Sequence, residues 1–232
     1  LSTILLQENQ YKEAENYLNR TIKINPNFLE AYLMLGITLN KLDNPKAAQL
    51  SFENCLKINP KSSEAYYQLG NSFSAQDELG LALSSYKSAA IIDPDAYQIH
   101  YNLGLTYHEL GDLDRSIFSY QESISLNSEY ADAHFNLALV QLKIGDYKSG
   151  LENFEWRFAK NEPLSLHGKP IIPRKKDTDF IDGEKILVVG EQAMGDIITY
   201  MRYILVLKRK GVDVKFCTRE KIHSLIKSSG ID

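Results

Sequence analysis

A carboxylate behind a glycine, just after an apolar run of strand length, can cap a helix or take a proton from an attacking hydroxyl. Residues 184–196, "EKILVVGEQAMGD", supply one in Asp196, with Gly190, Glu191, Gln192 and Gly195 as the loop that would surround a ligand. A second set of residues suits a different chemistry. Gln68, Asn102 and Asn136 each stand just before a Leu-Gly or Leu-Ala pair. A side-chain amide carries both donor and acceptor, so it can pair with a peptide group whatever the peptide's sequence. Asn71 follows Gln68 at helical spacing, and Tyr67, Tyr101 and Phe135 occupy the position before each amide, as an apolar floor.

Metal chemistry is not expected. His100 and His134 share one place of a repeat with Tyr32 and Tyr66, which marks an aromatic packing position, and His108, His167 and His223 are isolated. Cys55 and Cys217 have neither disulfide-framework nor zinc-site spacing, a usage that fits a reducing cytoplasm.

The elements that must carry these residues follow from self-similarity. Pro26, Pro60 and Pro94 are each 34 residues apart, and Ser128 continues the series. Leu35-Gly36, Leu69-Gly70, Leu103-Gly104 and Leu137-Ala138 keep the same step, as do Ala48, Ala82, Ser116 and Gly150. Each unit holds two runs with apolar residues at helical spacing, parted by a short polar turn, and the prolines fall where a second helix must stop. Units at 29–62, 63–96, 97–130 and 131–164 follow a partial unit at 1–28.

This pattern resembles the tetratricopeptide repeat (TPR), which implies a mainly α fold: an α-solenoid, a right-handed superhelix of helix hairpins, over residues 1–162. Such an array has a concave wall lined by the first helix of each unit and suited to an extended polypeptide or protein partner. The family's chaperone-tail clamps have Lys and Asn where this chain has Leu33 and Ile37, so that partner is disfavoured. The amides at 68, 102 and 136 are instead similar to the asparagine ladder of O-GlcNAc transferase repeats. Gly150 and Arg157 break the small-residue pattern of the last unit, and Trp156 is expected to cover the end of the stack.

Residues 163–184 read as a linker rich in proline and mixed charge, in which Arg174, Lys175 and Lys176 lie next to Asp177 and Asp179. From 185 the period changes to strand, helix, strand, helix, with Ile197, Met201, Ile204 and Leu205 expected on one helical face. The loop is neither G-x-G-x-x-G nor a P-loop, since Asp196 and Ile197 replace the lysine and hydroxyl. Tetratricopeptide repeats ending in "G…EWR" and followed by "EQAMGDIITYMRY" resemble the start of a heptosyltransferase-type glycosyltransferase. The resemblance implies a small C-terminal α/β Rossmann-like segment at 185–232, a nucleotide-sugar donor for the parent protein, and Asp196 as the base that deprotonates an acceptor hydroxyl. The donor-binding half would lie beyond residue 232, leaving this piece inactive alone. The rival expectation is an interaction module with an α/β cap and no catalysis.

Charge narrows the partners. Residues 1–162 hold 13 Lys and Arg against 21 Asp and Glu, while 163–232 hold 13 against 9, so nucleic acid is not expected on the repeats. No apolar run reaches the roughly 18 residues of a membrane span. The start at Leu1 suggests a piece of a longer chain, and two lone parallel strands suggest self-association through the C-terminal segment.

Overall fold

The repeat of sequence becomes a repeat of backbone conformation. The computed structural model describes residues 8–159, 183–189 and 204–217. Contacts divide the chain into two units, Leu1–Lys160 and Asn161–Asp232. In the first unit the helices are α1 (Tyr11–Ile24), α2 (Leu29–Lys41), α3 (Pro45–Ile58), α4 (Ser63–Ser74), α5 (Leu79–Ile92), α6 (Tyr97–Glu109), α7 (Leu113–Leu126), α8 (Ala131–Ile144) and α9 (Tyr147–Phe154). A 3-10 turn, Glu155–Phe158, follows α9.

Turns recur with the same geometry. Asn9, Asp43, Asp77, Gly111 and Gly145 all take positive φ, at 58°, 57°, 61°, 80° and 90°. Only glycine, asparagine and aspartate enter that region at low cost. The next N–H then closes a bond back to the preceding helix: Asn44 to the Leu39 carbonyl, Glu78 to Phe73, Asp112 to Tyr107 and Asp146 to Gln141, each 2.9 Å. This is the Schellman closure, which satisfies carbonyls the helix end leaves orphaned. Asn44, Asp112 and Asp146 also cap the following helix, their side chains accepting from the N–H of Ala47, Arg115 and Ser149. The signal is present in the sequence but changes residue type from unit to unit, so it is a shared tolerance of left-handed backbone, not a shared letter.

Within each hairpin a glycine faces a ring. A Cβ on Gly70 would sit 2.5 Å from Cε1 of Tyr86, and one on Gly104 would sit 2.6 Å from Cδ1 of Tyr120. Gly36 meets Phe52 in the same way. The rings are buried, and so are the small residues Ala48, Ala82 and Ser116 one helical turn before them. Close helix approach thus depends on the glycine and the small residue together, with the aromatic ring filling the space between.

The last hairpin is shorter. Helix α9 has 8 residues where α3, α5 and α7 each have 14. Gly150 is a fitted position and not a loosened one, because a Cβ there would lie 2.8 Å from the Leu142 side chain. Trp156 stacks on His134 with ring centroids 4.1 Å apart and planes within 5°. Asn153 bridges beneath, its Nδ2 donating to Gln141 Oε1 at 3.0 Å and its Oδ1 lying 2.9 Å from His134 Nδ1. Arg157 is bound to the Phe154 carbonyl and to Glu155, each close by in sequence.

In the second unit, β1 (Lys185–Val189) and β2 (Asp213–Cys217) pair in parallel, Lys185 opposite Asp213 and Val189 opposite Cys217. Residues 204–209 between them are helical. Ile204, Val212 and Val214 are buried, and Leu205 is 36% exposed. Gly190, Glu191, Gln192, Gly195 and Asp196 lie outside the described residues, as do Ile197, Met201 and most of the linker.

Candidate peptide-binding groove

The helical repeat places one stripe of each first helix outside the core. On α4 the stripe is Glu64, Tyr67, Gln68 and Asn71; on α6 it is Tyr101, Asn102, Leu105 and Glu109; on α8 it is Asp132, Phe135, Asn136 and Leu139. All are at least half-exposed or intermediate, while Leu69, Gly70, Leu103, Gly104, Leu137 and Ala138 between them are buried. Spacing of three and four residues accounts for this division.

The stripes are joined across hairpins, and Asn71 is the hub. Its Oδ1 accepts from the Tyr86 hydroxyl at 2.8 Å and from Asn102 Nδ2 at 3.2 Å. Its Nδ2 donates to Gln68 Oε1 at 3.2 Å, and Gln68 Nε2 donates to Glu64 at 2.7 Å. Asn136 does not continue the series: its Nδ2 donates to the Tyr101 hydroxyl at 2.9 Å. The three amides at 68, 102 and 136 are therefore not equivalent rungs. Leu105 is the reason, since it holds the place of Asn71 one unit later and offers Asn136 no acceptor.

Leu105 has a second consequence. The Tyr120 hydroxyl, which holds the place of Tyr86, is buried with no partner in hydrogen-bond geometry among the described residues. Elsewhere ring and neighbour match: Phe52 with Ile37 and Phe154 with Leu139 are apolar pairs, and Tyr86 with Asn71 is a polar one. Of these four pairs, Tyr120 alone sets a hydroxyl against leucine, with Tyr101 and Leu105 packed on the cluster that it forms with Leu137 and Val140.

Tyrosines line the same stretch. Tyr97 and Tyr101 both meet Tyr130 edge-on, at 4.8 and 5.0 Å, and Tyr101 lies 6.0 Å from Tyr120. Tyr67 lies 6.1 Å from Tyr86, and Phe135 lies 5.5 Å from Phe154. Burial, and then the field of Asp132, push the Tyr101 phenol up to about 12 from 10.0. Burial first, then Tyr101 and Asp132, raise Tyr130 as well. Burial also raises Tyr67, against hydrogen bonds from Asn71 and Asn102 that lower it. A phenol whose folded-state pKa is raised stabilises the fold below its unfolded value and loses that contribution as pH climbs. The repeat array should accordingly weaken between pH 10.0 and about 12. Tyrosinate absorbance followed with circular dichroism checks this: Tyr101 should ionise with unfolding, and complete ionisation with the fold intact would contradict it.

The histidines behave as packing residues with an added bond. His100 Nε2 lies 2.7 Å from the Pro94 carbonyl and His134 Nε2 lies 3.0 Å from that of Ser128, six residues back in each case. Among the described residues no group of His, Cys, Asp and Glu could hold a metal, and no helix is long and apolar enough to cross a membrane. Cys55 is a free, buried thiol pushed up by desolvation.

A stack of helix hairpins with an amide and tyrosine face on its first helices defines a helical-repeat scaffold. Residues 5–69 match the sequence profile of the tetratricopeptide repeat, and 70–111 and 106–145 match a second profile described as TPR repeat. The chain belongs to the tetratricopeptide-repeat family. No curated protein matches it. Among solved structures it is similar to MamA of Desulfovibrio magneticus RS-1, at 25% identity and TM-score 0.63 over 69% of this chain and 93% of that one. PilF of Pseudomonas aeruginosa matches at 18% identity and TM-score 0.63, over 67% of this chain and 71% of that one. YrrB, described as a TPR protein with an unusual peptide-binding site, matches at 18% identity and TM-score 0.57, over 68% and 81%.

Proposed function

We propose that the face formed by α4, α6 and α8 holds an extended polypeptide by its backbone. The observation that carries this reading is the cross-linked set Gln68, Asn71, Asn102 and Asn136, half-exposed and fixed in orientation by bonds to one another and to Tyr101. An amide can take part in up to about four hydrogen bonds. Asn136 uses one donor on Tyr101, leaving capacity for a peptide group, and its preset geometry lowers the ordering cost of binding. Tyr67, Tyr101 and Phe135 would flank the peptide's side chains.

Asn102→Ala/Asn136→Ala is expected to weaken peptide binding by about 1–3 kcal/mol, measured by calorimetry. Unchanged affinity would remove the amides from the contact. Because Asn102 also bonds Asn71, a melting curve of the variant separates lost contact from lost fold.

A second reading concerns residues 185–232. The parallel pairing of β1 and β2 around a helical stretch favours the beginning of an α/β domain, with the loop at Gly190, Glu191, Gln192, Gly195 and Asp196 following β1. Ligands of such sheets gather at the carboxyl ends of strands. In this reading the parent protein transfers a sugar from a nucleotide-sugar and Asp196 is the base. Asp196→Asn keeps a helix cap but cannot take a proton, so turnover of the full-length parent should fall by about 10²-fold or more with little change in melting temperature. Near-normal turnover would leave Asp196 as a cap.

A further inference from the structure

Charge is distributed along the repeats in a way that the net value conceals. Residues 1–61 hold 7 Lys and Arg against 6 Asp and Glu, whereas residues 62–142 hold 2 against 11. The acid excess of the array is thus confined to the middle hairpins, which carry the amide and tyrosine face. The two cations of that stretch, Lys87 and Arg115, belong to the second helices α5 and α7. Both lie over one ring, Lys87 Nζ at 5.7 Å and Arg115 Cζ at 5.0 Å from the centroid of Tyr107. Arg115 is further paired with Asp112. The first helices α4 and α6 contain no Lys or Arg, and α8 has Lys143 alone, exposed in its last turn, while Glu64, Glu109 and Asp132 stand on their outward stripes. The fields of these acids reach the tyrosines of the face: Glu64 acts on Tyr67, Glu109 on Tyr86 and Tyr120, and Asp132 on Tyr101 and Tyr130.

We propose that the face of α4, α6 and α8 selects basic polypeptide segments, in which Lys or Arg side chains alternate with backbone held by the amides. This rests on the peptide-groove reading above and adds the chemical class of the partner. One stripe carboxylate on each of the three helices, Glu64, Glu109 and Asp132, attracts a cation, and half-exposed tyrosine rings accept its charge on their π faces, as Tyr107 already does for Lys87 and Arg115. An acidic segment meets repulsion along the same path, so the surface discriminates by exclusion as well as by attraction.

The test uses the full chain and three fluorescein-labelled unstructured peptides of equal length, repeats of Gly-Lys-Ser-Ala, Gly-Gln-Ser-Ala and Gly-Glu-Ser-Ala, followed by fluorescence anisotropy. The lysine peptide should bind roughly tenfold tighter than the glutamine one at low salt, with the margin shrinking as salt rises. The glutamate peptide should bind weakest. Glu64→Gln/Glu109→Gln/Asp132→Asn should abolish the margin, whereas Asp77→Asn/Asp114→Asn/Glu122→Gln, elsewhere on the same hairpins, should keep it. Equal binding of lysine and glutamine peptides, with both weakened by Asn102→Ala/Asn136→Ala, would overturn the charge selection and leave the groove. Equal loss in the two charge triples would overturn it too, as unspecific attraction. Failure of all three peptides to bind would overturn both readings.

Discussion

Gly70→Ala is expected to destabilise the repeat array by about 1–3 kcal/mol, although alanine is the better helix former by about 1 kcal/mol. The added Cβ would stand 2.5 Å from Cε1 and 2.6 Å from Cδ1 of Tyr86, whose ring is fixed by burial and by its hydroxyl bond to Asn71. The ring cannot withdraw without breaking that bond, and α4 and α5 must move apart instead. Gly80, in the first turn of α5, has nothing within 4 Å of its virtual Cβ, and Gly80→Ala should raise stability by about 0.5–1 kcal/mol. Equilibrium urea unfolding of the two variants measures the contrast. Tyr86→Leu should relieve Gly70→Ala in a double-mutant cycle, and additive losses would show that the glycine is needed for some other reason.

Tyr86→Phe and Tyr120→Phe should move stability in opposite directions. The first removes a hydroxyl that donates to Asn71 at 2.8 Å, and loss of such a bond costs about 1 kcal/mol. The second removes a buried hydroxyl with no partner in hydrogen-bond geometry among the described residues, so the oxygen's desolvation penalty disappears and the protein should gain about 1 kcal/mol. Leu105→Asn tests the assigned cause. It gives up apolar packing against Tyr120 but supplies an acceptor to the hydroxyl where Asn71 serves Tyr86. It should therefore be better tolerated with Tyr120 present than with Tyr120→Phe, by about 1 kcal/mol of coupling. Calorimetric melting of the four proteins reads the cycle, and zero coupling would mean that Tyr120 and residue 105 do not communicate.

Both results concern what a repeat can and cannot announce in its letters. The sequence by itself determined the hairpins, because apolar residues at helical spacing, the Leu-Gly pairs and the punctuating prolines recur at 34 residues, and periodicity is a local property. It also determined which face of α4, α6 and α8 looks outward, since Gln68, Asn102 and Asn136 sit beside positions that must be buried. The left-handed turn at Asn9, Asp43, Asp77, Gly111 and Gly145 was present in the letters yet passed unseen, because three residue types serve one conformation.

What the tertiary structure decided is the partnering of the side chains. That Asn71 joins Asn102 and Tyr86, that Asn136 turns to Tyr101, and that Tyr120 is left unmatched depend on residues 15 to 35 positions apart meeting across helices. The role of Gly150, which looked like a defect in the repeat, depends likewise on Leu142 arriving beside it. A hydrogen bond or a steric contact needs two groups at a fixed distance, and one-dimensional spacing fixes that distance only within a helix turn or two. Across hairpins it is set by how closely the helices pack, which the glycines facing Phe52, Tyr86 and Tyr120 control.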